Sequence, residues 1–359
     1  MKLLLINQFG FASGAPTGRI LAELGAELEK RGHVVRVLVT GASYGKPRRG
    51  LGRLLQEGLS HLILLCRSLG HPKVDAVISM TSPACLAVTA GIAAKMHRAK
   101  HFHWVMDVYP DVGVRLGELK DGTLAHLLSV LIRRAYRGAS QVITLDEDMR
   151  DYLREVYGID SVVIGPFPPE VIWPSIKNGQ KTNRCWLYSG NFGRAHEIQV
   201  LLQIQKKLED RRVQADLILQ GQGPQFLPSQ DAAANLGLLQ VQWRAPVPLA
   251  KLGESLTQSE VLVVTRRMDM KGLLLPSKLT LAEISGRRIL WIGDTDGKTA
   301  QRLSLERRHG VFAVDEAEAI SAWLQGIFER ESHDQPVEPT ATNFVRQQAV
   351  DRWEAILSK

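Results

Sequence analysis

Two segments in the second half of the sequence combine glycine or proline with a cation in a way that suits a bound phosphate. Residues 188–197 include Arg194 and place two glycines between an apolar run and a helical pattern. Residues 275–279 include Lys278 directly after a Pro-Ser pair, a common way to open a helix. Backbone N–H groups at a helix start, with a neighbouring Arg or Lys, bind anions. Together the segments predict a diphosphate site, although each alone is typical of an ordinary capped helix.

A third glycine-containing segment, residues 8–19, lies near the start of the chain between an apolar run and a helical pattern. Its glycines include Gly10 and Gly14, and glycine lets a backbone approach a ligand closely. The spacing is not the G-x-G-x-x-G of dinucleotide-binding proteins, and no Gly-Lys-Ser/Thr follows as in a P-loop. The segment indicates either a flexible loop between strand and helix or a loop that covers an acceptor molecule.

An alternating α/β framework must position these segments. Short apolar runs alternate with amphipathic helical patterns, which is typical of buried parallel strands connected by helices. The runs lie at residues 3–6, 34–40, 76–79, 102–106 and 141–144, and again at 185–188, 216–219, 261–264 and 288–292. The proline-rich stretch at 165–181 separates the two series and predicts a linker. Two doubly wound domains are expected, with a ligand between them at the carboxyl ends of the strands.

Composition narrows the class of protein. The 359 residues are 45% apolar and 23% charged, as in soluble globular proteins, and the three cysteines are scattered. This excludes a disulfide-stapled mini-protein and fits a reducing cytosol. No apolar run approaches the roughly 18–20 residues needed to cross a bilayer. The net charge of +8 arises within residues 1–100, which hold 14 Lys and Arg against 5 Asp and Glu, so this half is expected to meet an anionic partner.

Seven short motifs occur in an order that resembles one class of enzymes. They are the segments 7–8, 30–37, 74–78, 107–111, 188–193, 221–223 and 275–286. Together they resemble the GT-B glycosyltransferases, and within these the retaining, nucleotide-sugar-dependent family-four group that includes O-antigen, capsule and colanic-acid transferases. The resemblance implies an α/β fold with two Rossmann-like, doubly wound domains facing a central cleft.

The resemblance also implies what each domain does. Residues 1–168 would form the N-terminal, acceptor-binding domain, onto which a C-terminal helix at 340–359 crosses back, and residues 182–339 would bind the donor. The implied activity is transfer of a sugar from a nucleotide diphosphate-sugar to a hydroxyl of a glycan in surface polysaccharide biosynthesis. A UDP-sugar is the expected donor, and neither a metal nor a separate cofactor is expected.

Site residues follow from the resemblance at the matching positions. The expected diphosphate contacts are Gly190, Asn191, Gly193, Arg194, Ser277 and Lys278. Among them, Arg194 and Lys278 would neutralise the charge that grows as the sugar leaves. Asp107, in an Asp-x-x-Pro element, would position or deprotonate the acceptor hydroxyl or stabilise the transition state, unless it only caps a turn. Gly10 and Gly14 would lie on the acceptor side.

One departure from the family pattern concerns the donor ribose. Leu281 stands where many relatives carry a glutamate, and Glu283 is the nearby carboxylate that would take its place in donor binding. The departure leaves open a catalytically silent homologue that binds a glycan or a partner protein as a scaffold. A nucleotide-sugar epimerase shares the architecture, but it would leave the basic and apolar segment at residues 46–67 without a purpose.

The segment 46–67 is basic and then strongly apolar at roughly helical spacing. It is either an amphipathic helix at an anionic membrane surface or a core helix with a basic entry. Relatives often glycosylate polyprenyl-diphosphate-linked sugars, so the expected partners are a lipid-linked glycan and the inner face of the membrane, in a cytoplasmic protein. No recognised nucleic-acid-binding motif occurs, and nucleic acid is not an expected partner.

Two further patterns have simpler explanations. Residues 146–148 match the Asp-x-Asp metal motif of the other large glycosyltransferase fold, but they follow an apolar run and open a helix, so Asp146 is expected to cap that helix. His101 and His103 share one face of a strand, yet no further ligand lies close in sequence, so a metal is not expected there.

Overall fold

The computed structural model describes residues 1–41, 51–174, 183–329 and 337–359. The chain forms two compact units. The first consists of Met1–Phe167, Gly272–Leu275 and Arg346–Lys359, and the second of Pro168–Lys271 and Pro276–Val345. The basic residues 46–50 and the linker residues 175–181, both singled out from the sequence, lie outside the described residues.

The first unit is built on a sheet of parallel strands. These are β1 (Lys2–Ile6), β2 (Val34–Leu38), β3 (Ala76–Ser79), β4 (Lys100–Trp104), β5 (Gln141–Thr144) and β6 (Ser161–Val163). Their order is β2-β1-β3-β4-β5-β6, with every neighbouring pair parallel. Each apolar run expected in this half is confirmed as a strand to within two residues. Only β6 was not predicted, because its three residues form no apolar run of recognisable length.

Helices cover both faces of this sheet. They are α1 (Pro16–Lys30), α2 (Leu51–Leu69), α3 (Leu86–His97), α4 (Asp111–Arg115), α5 (Thr123–Arg137) and α6 (Glu147–Tyr152), the last continued by a π-helical turn at Leu153–Tyr157. Helix α1 lies on the face that carries Leu5, so close that a Cβ on Gly25 would be 3.2 Å from Leu5 Cδ2. Helices α2 and α3 pack on the other face, where Leu64 and Ala90 join Leu4 in one buried cluster.

The second unit repeats the plan with a different strand order. Its strands are β7 (Asn183–Asn191), β8 (Asp216–Gln222), β9 (Val241–Arg244), β10 (Ser259–Thr265), β11 (Arg288–Ile292) and β12 (Gly310–Phe312). Its helices are α7 (Ile198–Asp210), α8 (Phe226–Asn235), α9 (Leu249–Thr257), α10 (Lys278–Ile284), α11 (Lys298–Ser304) and α12 (Ala317–Phe328). The parallel order β12-β11-β10-β7-β8-β9 is that of a Rossmann fold, in which the strand order reverses between β7 and β10. Ligands bind such sheets at the carboxyl ends of the strands beside this reversal.

The last helix, α13 (Thr342–Leu357), packs its C-terminal part within the first unit. Trp353 is fully buried, edge-on to Trp104 at 5.2 Å between ring centroids. His33 Nε2 lies 2.7 Å from a carboxylate oxygen of Glu354 on the same helix. Large aromatic surfaces buried in this way contribute strongly to core stability, so α13 is an integral layer of the first unit. In the described part of the chain, no helix combines the length and apolarity required to cross a membrane.

Candidate functional site

The ends of β7 and β8 meet so closely that only glycine fits there. Gly190 and Gly221 face each other in register, with φ values of 151° and 148°. A Cβ on Gly221 would lie 1.8 Å from the carbonyl oxygen of Gly190, which no side chain tolerates. The backbone at these two glycines carries no side chains. A ligand can therefore approach it closely, beside the place where the strand order of the second sheet reverses.

Lys278, the first residue of α10, reaches this same place. Its Nζ is buried, lies 3.7 Å from the centre of the Tyr188 ring, and has no hydrogen-bond partner among the described residues. A Cβ on Gly190 would lie 3.2 Å from Lys278 Cε. Burial lowers the pKa of the Lys278 ammonium well below its usual range. Because a buried cation without a hydrogen-bond partner is costly, this amine suits an anionic ligand, and the described residues place no anion against it.

His196 lies near the same lysine, and its ring centroid is 6.0 Å from that of Tyr188. Its Nδ1 lies 2.8 Å from the carbonyl oxygen of Thr265 at the end of β10, so Nδ1 carries the proton and donates it. Burial and, to a lesser degree, the charge of Lys278 lower the pKa of His196 to about 3. The ring is therefore neutral near pH 7, and Nε2 is left as an acceptor that suits a hydroxyl group better than a phosphate.

The loop between β7 and α7 is held by its own backbone and by Gln225. Gln225 Nε2 donates to the carbonyl oxygens of Gly193 and His196, at 2.5 Å and 3.2 Å. The Tyr188 hydroxyl donates to the carbonyl oxygen of Asn191 at 2.7 Å. Arg194 is exposed on this loop, four residues before α7 begins, and so it does not belong to the first turn of that helix.

The predicted donor residues therefore divide into two groups. The structure brings together Gly190, Asn191, Gly193 and Lys278, with Ser277 exposed immediately before α10. Glu283 is not part of this group. It follows Lys278 by five positions, about 140° around the helix, and its carboxylate pairs with Arg302 of α11. Leu281 and Ala282, at the i+3 and i+4 positions, are the residues on the lysine side of α10.

A cavity of about 510 Å³ adjoins the end of β8. It is lined by Gly221, Gln222, Gly223, Phe226, Leu227, Gln230, Trp243, Arg244, Ala245 and Pro246. This volume is within the ~300–1,000 Å³ typical of small-molecule sites. Gly221 and Gly223 are evident from the sequence motif at 221–223. Trp243 and Arg244 are not, because the sequence does not predict β9. The alternation of Val241 and Trp243 with polar residues was the available signal.

In the first unit, Asp107 follows β4 and is anchored by its backbone. It forms an isolated β-bridge with Leu274, and its N–H donates to Thr81 Oγ1 at 3.3 Å. Burial raises the pKa of the Asp107 carboxyl to about 6. The nearby Asp111 has a different role, because its carboxylate accepts hydrogen bonds from Tyr152 and Tyr157. Burial thus brings the pKa of the Asp107 carboxyl closer to neutral pH.

The loop after β1 is compact and lies against α1. Gly18 in that helix has no room for a side chain, since a Cβ there would be 2.3 Å from the carbonyl oxygen of Gly10. Gly14 adopts a left-handed conformation, with φ of 77°. Asn7 Nδ2 donates to the carbonyl oxygen of Phe9 at 2.9 Å, which ties the loop to the end of the strand. Gly10 and Gly14 thus belong to one ordered turn at the carboxyl edge of the first sheet.

The remaining sequence patterns have structural roles. Asp146 caps α6 as predicted, accepting a hydrogen bond from the N–H of Met149 at 2.8 Å. His101 and His103 are buried and both contact Ser79 Oγ, at 2.9 Å and 2.8 Å. Burial lowers the pKa of both rings, to about 4 for His101. Within the described ranges, no group of three or more His, Cys, Asp or Glu side chains is placed to hold a metal ion.

Comparisons with known proteins agree with this architecture. Residues 17–170 match the glycosyl transferase 4-like domain. The protein named "Probable glycosyltransferase WbjE", from Pseudomonas aeruginosa, is 27% identical over 258 residues, which are 67% of this chain. The chain spans 62% of the length of that curated relative.

Solved structures resemble the chain over nearly its whole length. Sucrose-phosphate synthase from Thermosynechococcus elongatus gives a TM-score of 0.68 at 13% identity, covering 99% of this chain and 96% of that one. HepE from Anabaena, solved in complex with UDP-glucose, gives a TM-score of 0.60 at 15% identity, covering 99% and 100%. At these identities the likeness concerns the fold.

The two parallel sheets with flanking helices, together with these likenesses, show that the chain has the fold of the GT-B glycosyltransferases. Residues 17–170 of its first Rossmann-like domain match the glycosyl transferase 4-like domain. The expected fold class, α/β with two Rossmann-like domains, is confirmed.

Proposed function

We propose that this protein transfers a sugar from a nucleotide diphosphate-sugar to a hydroxyl group of a glycan. The observation that carries the proposal is Lys278, whose buried Nζ lies beside the glycine-lined ends of β7 and β8 and has no hydrogen-bond partner in the described part of the chain. A diphosphate would supply the missing anion, and the pKa of the lysine would rise again as the ion pair forms. As the sugar departs, negative charge grows on the diphosphate, and the lysine stabilises that charge.

The cavity at the end of β8 is the proposed place for the nucleoside. Trp243 and Phe226 offer aromatic surface, while Gln222, Gln230 and Arg244 offer hydrogen-bonding groups. The UDP-glucose bound to HepE supports a uridine nucleotide as the first donor to test. Retention of the anomeric configuration and transfer without a metal are further parts of the proposal, carried by the family resemblance.

Asp107 is proposed to act on the acceptor. A carboxylate with a pKa near 6 is largely ionised at pH 7 and still basic enough to accept or orient a hydroxyl proton. Gly10 and Gly14, in the ordered turn after β1, would line the acceptor side of the first unit. The acceptor is proposed to be a lipid-linked glycan, met by the protein at the cytoplasmic face of the membrane.

The role of Asp107 predicts a pH dependence. If the carboxylate form is required, kcat/KM falls as the pH drops through about 6, by about tenfold for each further unit. Asp107→Asn should lower turnover and give a residual rate that no longer changes in this range, while UDP affinity stays as in the wild type. A variant with the wild-type rate and profile would limit Asp107 to capping the turn before α4.

The function is tested first by thermal unfolding with UDP, GDP, ADP, CMP and NAD. A ligand at 100 times its Kd stabilises the folded state by about 2.7 kcal/mol, which is readily measured. We expect UDP to raise the Tm and the others to leave it unchanged, after which UDP-sugars are assayed for hydrolysis and transfer. If no nucleotide changes the Tm, the leucine at position 281 favours the alternative function. The protein would then be a catalytically silent scaffold that binds a glycan or a partner protein.

A further inference from the structure

Helix α2 buries a mixed face of small, polar and apolar side chains and leaves large apolar ones exposed. Ser60 and Ser68 are buried on either side of Leu64, and His61 turns inward to contact Thr89 Oγ1 at 2.7 Å. The large apolar side chains recur at helical spacing on the opposite side, where they are exposed by 46–66%: Leu55, Leu59, Leu62 and Leu69. A helix that only completes a protein core shows the reverse pattern. The apolar face of α2 therefore lacks a cover within the described chain.

Helices α3 and α5 extend this exposed apolar surface. Helix α3 contacts both α2 and α5 on the same side of the sheet. Helix α3 exposes Ile92 and Met96, which are one turn apart. Helix α5 exposes Leu124, Leu127, Val130 and Leu131, each by at least half of its surface. Apolar side chains exposed on three helices that pack side by side mark a candidate interaction surface, and we call it the α2–α5 face.

The charges of the same three helices have one dominant sign. Their sequences contain six Lys and Arg and a single acidic residue, Glu57, which is half-buried. Lys95 lies beside Met96 on the exposed side of α3, and Arg134 follows Leu131 on the exposed side of α5. Cations at the border of an exposed leucine surface are the arrangement that binds anionic lipid headgroups while apolar side chains enter the acyl boundary.

We propose that the α2–α5 face docks on an anionic lipid bilayer. The inference extends the proposed function, because a lipid-linked acceptor would lie in that same bilayer. A second copy of the chain is a poorer occupant: a two-fold symmetric contact would place the cations of one face against those of the other. An anionic bilayer would bury the exposed leucines in its acyl region and neutralise the bordering cations with its headgroups, so it accounts for both the apolar and the basic character of the face.

Flotation of the full chain with lipid vesicles tests the proposal. We expect binding to vesicles of equal parts phosphatidylcholine and phosphatidylglycerol, weakened by salt, and much less binding to phosphatidylcholine alone. Leu59→Gln with Leu127→Gln should lower the partition coefficient at least about tenfold, since each leucine loses its transfer from water. Lys95→Glu with Arg134→Glu should lower it by about tenfold or more on anionic vesicles only.

The matched control is Leu239→Gln with Leu305→Gln, which changes two leucines of the second unit that are 89% and 83% exposed. Binding equal to the wild type is expected for this control. The proposal is overturned if the wild type does not float with anionic vesicles, or if Leu59→Gln with Leu127→Gln and Lys95→Glu with Arg134→Glu both bind these vesicles as tightly as the wild type. It is also overturned if Leu59→Gln with Leu127→Gln instead abolishes a self-association seen by ultracentrifugation. Stabilisation by UDP, measured on the same variants, reports the donor site separately, so either proposal can fail alone.

Discussion

Lys278→Met is expected to make the free protein more stable and to remove most of its affinity for the nucleotide. The substitution keeps a long, unbranched side chain over Tyr188 and removes a buried amine that makes no hydrogen bond to any described residue. Burying a polar group without a hydrogen bond costs about 1–3 kcal/mol, so the free energy of unfolding should rise by that amount. A charge-assisted contact with a diphosphate contributes about 1.5–3 kcal/mol, so UDP should bind about 10- to 150-fold more weakly.

Calorimetric titration with UDP and urea-induced unfolding of the same samples measure both effects. At a pH above the lowered pKa of Lys278, the wild type should also take up protons on binding UDP, because the anion favours the charged form of the amine. Lys206→Met is the control, since this lysine is paired with Asp210 on the surface of α7 and should change neither quantity appreciably. If the Lys278→Met protein binds UDP as tightly as the wild type, the proposal that the diphosphate binds at Lys278 is wrong.

Gly221→Ala is expected to destabilise the second unit severely and to remove its nucleotide site. The new methyl group would overlap the carbonyl oxygen of Gly190, and the residue would keep a φ of 148°, which alanine rarely adopts. Strain and overpacking together should lower the free energy of unfolding by about 3–5 kcal/mol. Urea-induced unfolding measures the loss, and the UDP-dependent rise in Tm should disappear with it.

Gly326→Ala in α12 is the matched control for that substitution. Gly326 is exposed, and nothing lies within 4 Å of the position its Cβ would take. Alanine there should stabilise the helix by about 0.5–1 kcal/mol. If the two alanine variants were equally stable, the ends of β7 and β8 would not approach as closely as the structure places them.

The sequence by itself determined the framework. Parallel strands buried on both faces require continuous apolar runs, and local composition is sufficient to reveal them, as at β3, β5 and β11, whose ends were predicted to the residue. The cap at Asp146 was predictable for the same reason, since it joins a side chain to a backbone group three residues away. The strands β6, β9 and β12 were missed because each lies at the edge of its sheet and is only partly buried, so none of them needs a continuous apolar run.

Only the tertiary structure decided how side chains from distant segments meet. The sequence pointed to Lys278. Its position over the Tyr188 ring depends on two residues that are ninety positions apart, and so does the burial of Nζ without a hydrogen bond to any described residue. The pairing of Glu283 with Arg302 separated a predicted donor contact from the lysine. The exposure of the leucines of α2 could not be predicted either. A periodic pattern shows that a helix has an apolar side, but it does not show which side the neighbouring elements will cover. Burial is a property of the whole fold, and the pKa values and unmet charges that make a site follow from burial.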